Sequence, residues 1–241
     1  MKSPYKSSFL VDLVLKLWQA VPALVLHNLE KAHAIKKIFW HLSVDQFEGC
    51  YIEFGVAHGN SMRSAEIAER TSESKVIGVK RIPRQLFGFD TFEGFVSHTA
   101  DDMHPIWEGT MYTAPLKDIQ RRFRRSNNVQ FIKMDVTKLV KTGGSVIEAE
   151  EFGITEKAAI ILLDMDLYEP TLSALRWSRQ LLQTGTFLLL DEYFSFGGDS
   201  NKGESRALNE FLDENPDIRV RDYSSYGAGG KIFVVEINAL K

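Results

Sequence analysis

The sequence predicts an α/β protein: a mostly parallel sheet with helices on both faces. Three observations carry this. Apolar runs of strand length alternate with helix-patterned segments, as βαβ units require. The runs AAIILL (158–163) and TFLLL (186–190) are apolar without interruption, which suits strands buried on both faces. Each expected parallel strand also ends on an acid, at the sheet edge where such folds bind ligands.

The elements follow in order. Two helices are expected over about 8–20 and 25–42. CYIEFGV is the first strand and ends in a glycine turn; SMRSAEIAERT is the helix behind it. QLFGFD is the second strand, PLKDIQRRFRR a helix and VQFIKMD the third strand. AAIILLD is the fourth, followed by the helix PTLSALRWSRQLL. TGTFLLLDEY is the fifth strand, ESRALNEFLDEN a helix and KIFVVEI a last strand, entered through the YGAGGK turn. A boundary near residue 48 separates a helical extension, 1–48, from the main domain, 49–241.

At 241 residues, 44% apolar and 25% charged, the chain suits one large globular domain. A net charge of −3 gives no general attraction to nucleic acid or to an anionic membrane. The single cysteine, Cys50, rules out an internal disulfide and a cysteine-built zinc site; it suits the core and a reducing, cytoplasmic location. The N-terminal stretch FLVDLVLKLWQAVPALVL carries Asp12, Lys16, Gln19 and Pro22, so it reads as amphipathic helix rather than a membrane span. Its apolar face needs a cover: the main domain, a lipid surface, or a second subunit in a homodimer formed through these helices.

The acids define the candidate site. Glu53 and Gly55 close the first strand, Asp90 the second, Asp135 the third, Asp164 and Asp166 the fourth, Asp191 and Glu192 the fifth. One such acid is readily a helix cap; acids at all five strand ends along one edge call for a polyhydroxyl or cationic ligand. The stretch DMDLYEPT sharpens this. Residues two apart in a strand share a face, so Asp164 and Asp166 would aim at one volume if the strand persists. Two close carboxylates require a cation, a shared proton, or a bend that separates them.

The turn EFGVAHGNS has neither the Lys-Ser/Thr ending of a P-loop nor the GxGxxG of dinucleotide sites. It looks like the first motif of class I S-adenosylmethionine methyltransferases. With FGFDTFEGF, LLDMDLYEPT and LLLDEY followed by GES, it resembles the macrocin O-methyltransferase family over roughly residues 51–236. The resemblance implies a class I, Rossmann-like methyltransferase fold and a metal-dependent O-methyltransferase using S-adenosylmethionine and Mg2+ on a small hydroxylated acceptor, sugar-containing for preference. It implies cofactor contacts at Glu53, Gly55, Ser61, Asp90, Thr91 and Asp135, with Asp90 on the ribose hydroxyls and Asp135 near the adenine. It implies metal ligands at Asp164, Asp191 and Glu192, and a general base at Asp166. The family's Asp-Asp pair is Asp191-Glu192 here, so Glu192 reaches one methylene further.

Rival readings use the same residues. The D-x-D of nucleotide-sugar glycosyltransferases explains the acids of strands four and five but not the glycine turn with Asp90. The haloacid dehalogenase motif wants Thr where Tyr168 stands. A non-catalytic, cofactor-binding partner protein would not need acids at all five strand ends. Asp166 alone reads as a cap or turn residue, and Tyr168 as a packing residue. The long segment 96–115 reads as an acceptor lid, where His104 is a second candidate base beside Trp107. RRFRR (121–125) reads as a solvated helix face, and Glu204 as a substrate contact or a first-turn acid.

Overall fold

The computed structural model describes residues 8–94 and 113–238. The elements run α1 (Ser8–Gln19), α2 (Ala23–Val44), β1 (Cys50–Phe54), α3 (Asn60–Thr71), β2 (Leu86–Asp90), α4 (Leu116–Arg122), β3 (Val129–Lys133), β4 (Ala158–Leu163), α5 (Tyr168–Ser178), β5 (Phe187–Leu190), α6 (Gly203–Glu214), β6 (Ile218–Tyr226) and β7 (Gly230–Ile237). They form one seven-stranded sheet in the order β3-β2-β1-β4-β5-β7-β6. The first five strands by sequence are parallel, and β7 enters antiparallel between β5 and β6. This is the class I methyltransferase fold that the resemblance implies.

The uninterrupted apolar runs are explained by two cores. Ile161, Leu163 and Leu188 face α5 and α6, with Phe54, Phe89 and the fully buried Trp177. Ile160, Leu162 and Leu189 face the other way, onto Ile35, Ile38, Phe39 and Leu42 of α2 and Met62 and Ala65 of α3. Alternate residues of one strand thus enter opposite cores. The expected boundary at residue 48 falls between α2 and β1, yet α2 is a core helix of the sheet domain. Pro22 stands at the start of α2, and α1 meets α2 at 95°. Residues 10–20 are exposed, including Leu10, Leu13, Leu17 and Trp18. The main domain therefore does not cover α1. No single helix among the described residues is long and apolar enough to cross a membrane.

The strand β6 is not among the expected elements. Its sequence IRVRDYSSY buries only Ile218 and Tyr226 at its two ends. It is an edge strand with Arg219, Arg221 and Asp222 on it, a composition that suits an edge and hides the strand period. The expected loop 96–115, with His104 and Trp107, lies outside the described residues except for 113–115.

The strand neighbours also fix where the site lies. β1 has β2 on one side and β4 on the other, both parallel. Their connections leave in opposite directions, which opens a crevice at the carboxyl ends of β1 and β4.

Candidate active site

The glycine turn begins the site. After Phe54 the chain turns at Gly55 (φ +87°) and enters α3 through Gly59 (φ +71°). Both need the left-handed region that glycine occupies freely. Asp90 ties this turn to β2: its Oδ2 accepts hydrogen bonds from the Val56 N–H at 2.7 Å and the Ala57 N–H at 2.8 Å. Its Oδ1 accepts from the Phe92 N–H at 2.6 Å. A carboxylate with two oxygens keeps further lone pairs for ligand hydroxyls. Arg122, from RRFRR, donates to the His58 carbonyl and to Asn60 Oδ1 at 2.8 Å, so one arginine of that run braces the turn.

Glu53 lies behind the turn. It is wholly buried and accepts hydrogen bonds from the Tyr51 and Ser61 hydroxyls, each at 2.6 Å. Burial pushes its carboxyl up to about 8, against the pull of those two hydroxyls. Its side chain does not line the crevice; Ser61 does. Asp135 lines the crevice and also caps the short turn after β3, accepting from the Thr137 N–H and hydroxyl at 3.1 and 2.7 Å. The Thr91 hydroxyl donates to the Gly94 carbonyl at 2.9 Å.

The acids of β4 and β5 form the opposite wall. The strand β4 stops at Leu163, so Asp164 and Asp166 are not two positions of one extended strand. Asp164 still bonds the Phe54 carbonyl through its N–H. Asp166 is in a left-handed turn (φ 65°) and is buried. A sharp bend separates the pair, the third of the outcomes the motif left open, but both carboxyls still line the crevice. Burial, with Asp164 and Glu192 nearby, pushes the Asp166 carboxyl well up. Asp191 follows β5 directly and bonds the Leu163 carbonyl.

Between Asp164 and Asp191 stands a residue that sequence reasoning missed. Lys31 Nζ donates to Asp164 Oδ2 at 2.8 Å and to Asp191 Oδ2 at 2.6 Å. It comes from α2 and is buried. His27, one turn earlier, faces Asp191 Oδ2 through Nε2 at 3.0 Å, while its Nδ1 accepts from the Ala228 N–H at 3.2 Å. That second bond assigns the proton to Nε2, which donates to the carboxylate. Burial pushes Asp191 up, but Lys31 and His27 outweigh it and hold the carboxyl below the usual range. Asp164 goes the other way, raised by burial and by the Asp191 charge. A signal for this was present: His27, Lys31, Ala34, Ile35, Ile38 and Leu42 follow one helical face, and its first two members are basic.

Glu192 accepts from the Ser195 hydroxyl at 2.7 Å, and its N–H donates to Glu204 at 2.9 Å. Glu204 is fully buried in the first turn of α6 and does not line the crevice, so it supports the Glu192 backbone rather than a ligand. Tyr168 donates to Glu210 at 2.5 Å, in keeping with a packing role.

The expected metal ligands meet the geometry in part. The ligand atoms gathered within 4.8 Å of one another belong to His27, Asp191 and Glu192, while Asp164 joins Asp191 through Lys31. The donor set, three carboxylates on one crevice, fits a hard divalent cation. Asp191 Oδ1 is buried without a well-formed hydrogen bond among the described residues, and the buried Tyr226 hydroxyl lies beside this carboxylate. Asp90, Asp135, Asp164, Asp166, Asp191 and Glu192, with Lys31 and His27 of α2, share one cavity of about 570 Å³ with the glycine turn.

Fold and crevice together define a class I methyltransferase architecture. No protein-family model and no curated protein matches the chain. Solved structures do share its fold. The O-methyltransferase NovP superposes with a TM-score of 0.63 at 17% identity, over 85% of this chain and 79% of that one. The calicheamicin methyltransferase CalS11 gives 0.63 at 21% identity, over 97% and 87%. An O-methyltransferase from Bacillus cereus in complex with SAH gives 0.51 at 13% identity, over 86% and 81%.

Proposed function

We propose that this chain is an S-adenosylmethionine-dependent O-methyltransferase of the macrocin type, acting on a hydroxyl of a sugar or glycosylated small molecule with the help of Mg2+. The observation that carries it is the shared cavity: a glycine turn braced by Asp90 on one wall, and Asp164, Asp166, Asp191 and Glu192 on the other. Neighbours of the same fold support the acceptor class, since CalS11 is also described as a TDP-rhamnose 3'-O-methyltransferase.

The chemistry assigns roles. The turn from Gly55 to Ser61 and the free N–H groups of α3 receive the cofactor, Asp90 accepts from the ribose hydroxyls, and Thr91 and Asp135 complete that wall. Glu53 acts on the cofactor through Ser61, which it holds. A sugar hydroxyl is a weak nucleophile at neutral pH. Asp166 takes its proton as the oxygen attacks the methyl carbon and the sulfonium leaves as a thioether. Asp164, Asp191 and Glu192 would hold the divalent ion, which when bound would lower the pKa of that hydroxyl. The exposed apolar α1 pairs with a second copy to make a homodimer, which sedimentation velocity tests directly.

The deciding experiment is isothermal titration with S-adenosylmethionine, with and without Mg2+, followed by methyl transfer to nucleotide sugars and glycosides. Micromolar cofactor binding and chelator-sensitive transfer are expected. No binding in either condition overturns the reading, and binding of a nucleoside diphosphate with Mn2+ instead would favour glycosyl transfer.

A further inference from the structure

We propose that Lys31 is an internal competitor of the divalent cation: its ammonium and a metal ion claim the same oxygens of Asp164 and Asp191, so helix α2 sets how tightly the site takes metal. The inference rests on the metal-dependent reading above. It concerns a residue outside the stretch that resembles the macrocin family.

The distances make the two occupants exclusive. Lys31 Nζ is 2.8 Å from Asp164 Oδ2 and 2.6 Å from Asp191 Oδ2. A hard divalent ion bridging those oxygens would sit about 2.1 Å from each. Two cations sharing one pair of oxygens repel strongly in a buried site. Lys31 also leaves the crevice short of positive charge. One ammonium faces Asp164 and Asp191, with Asp166 and Glu192 on the same cavity. An ordinary buried ion pair matches one cation to one anion; this one invites a cation of higher charge.

The side chain allows the exchange. α2 is held at both ends, by its core residues from Ala34 onward and by His27 and Glu30, which accept from the Ala228 and Gly227 N–H groups. The Lys31 ammonium, however, ends a flexible four-carbon stem. It can leave the two oxygens by side-chain rotation while α2 stays on the sheet.

The test is isothermal titration of the full chain with Mn2+, comparing wild type with Lys31→Met and Lys31→Arg. When a competing state dominates by about ten to one, apparent affinity falls about tenfold. Lys31→Met is therefore expected to bind Mn2+ at least about tenfold more tightly than wild type, and Lys31→Arg, which keeps the charge, to stay near it. A second measurement needs no variant: labelling of the Lys31 amine by an N-hydroxysuccinimide ester, read by mass spectrometry. A several-fold rise is expected in Mn2+-saturated wild type. Equal or weaker Mn2+ affinity in Lys31→Met, or unchanged Lys31 labelling at saturation, overturns the competition and leaves metal dependence standing. If neither wild type nor Lys31→Met binds Mn2+, the metal reading falls and the competition with it.

Discussion

A Cβ on Gly55 would lie 1.8 Å from the carbonyl oxygen of Asp164. The glycine turn after β1 and the first acid of the D-x-D motif are thus in backbone contact, although 109 positions apart in the chain (164 − 55). The contact holds the two walls of the crevice at a fixed spacing. Gly55→Ala combines that clash with a left-handed backbone, and the backbone part alone costs about 1–2 kcal/mol. We expect a loss of at least about 2 kcal/mol in urea unfolding, together with loss of S-adenosylmethionine binding. Unchanged stability would show that the two strands can slide apart freely.

Asp90 gives a prediction on affinity rather than stability. Its carboxylate accepts three backbone N–H groups and keeps further lone pairs, which the proposed function gives to the ribose. Asp90→Asn replaces one acceptor oxygen by a donor and should weaken cofactor binding by about tenfold or more, read by titration. Asp135→Ala removes a cap contact, with an expected cost of about 1 kcal/mol in stability.

Asp164 and Asp191 should separate under substitution. Asp164→Asn is expected to abolish metal-dependent turnover while sparing cofactor binding. Asp191→Asn leaves Lys31 and His27 facing a neutral amide. Removing one partner of a buried charge pair costs about 3–5 kcal/mol, so Asp191→Asn should unfold at markedly lower urea concentration than Asp164→Asn. Equal midpoints for the two variants would show that Lys31 draws its pairing from Asp164 as much as from Asp191.

As the proposed base, Asp166 should set the pH dependence of turnover. Burial and the neighbouring carboxylates raise its pKa, so the ionised base accumulates only above the ordinary carboxylate range. Turnover should climb with pH there. Asp166→Asn should lower kcat by roughly 10²–10⁴ and remove that rising limb. A variant that keeps the limb would move the base to another group.

Glu53 sets a pH dependence of stability. Its folded value, about 8, is above the ordinary 4.5. Between those values the folded state binds more protons than the unfolded state, so stability falls as pH rises. The contribution is fully present below pH 4.5 and lost by pH 8. Glu53→Gln should flatten the decline measured between pH 5 and pH 8, an effect on the order of a few kcal/mol at most.

How much was legible depended on chain distance. Asp90, Asp135, Asp164 and Asp191 were readable because each stands where an apolar run ends, and the edge of a parallel sheet gathers strand ends without further information. The bend at Asp166 was not readable, since a single left-handed residue leaves no periodic trace. Glu204 looked like a helix-start acid, which it is, but its bond to the Glu192 N–H depends on how α6 docks. The strand β6 was hidden because an edge strand of arginines and serines has no buried face to advertise it.

Taken alone, the sequence determined the class of fold, the edge of the sheet that carries chemistry and the residues that arrive there. Those follow from local period and from acids placed after apolar runs, which neighbouring residues specify. The tertiary structure decided what neutralises the acids. Lys31 and His27 continue the apolar face of α2, but the sequence does not say which acids that face meets. Only that packing carries an ammonium to Asp164 and Asp191, and the low-dielectric crevice then makes its charge matter.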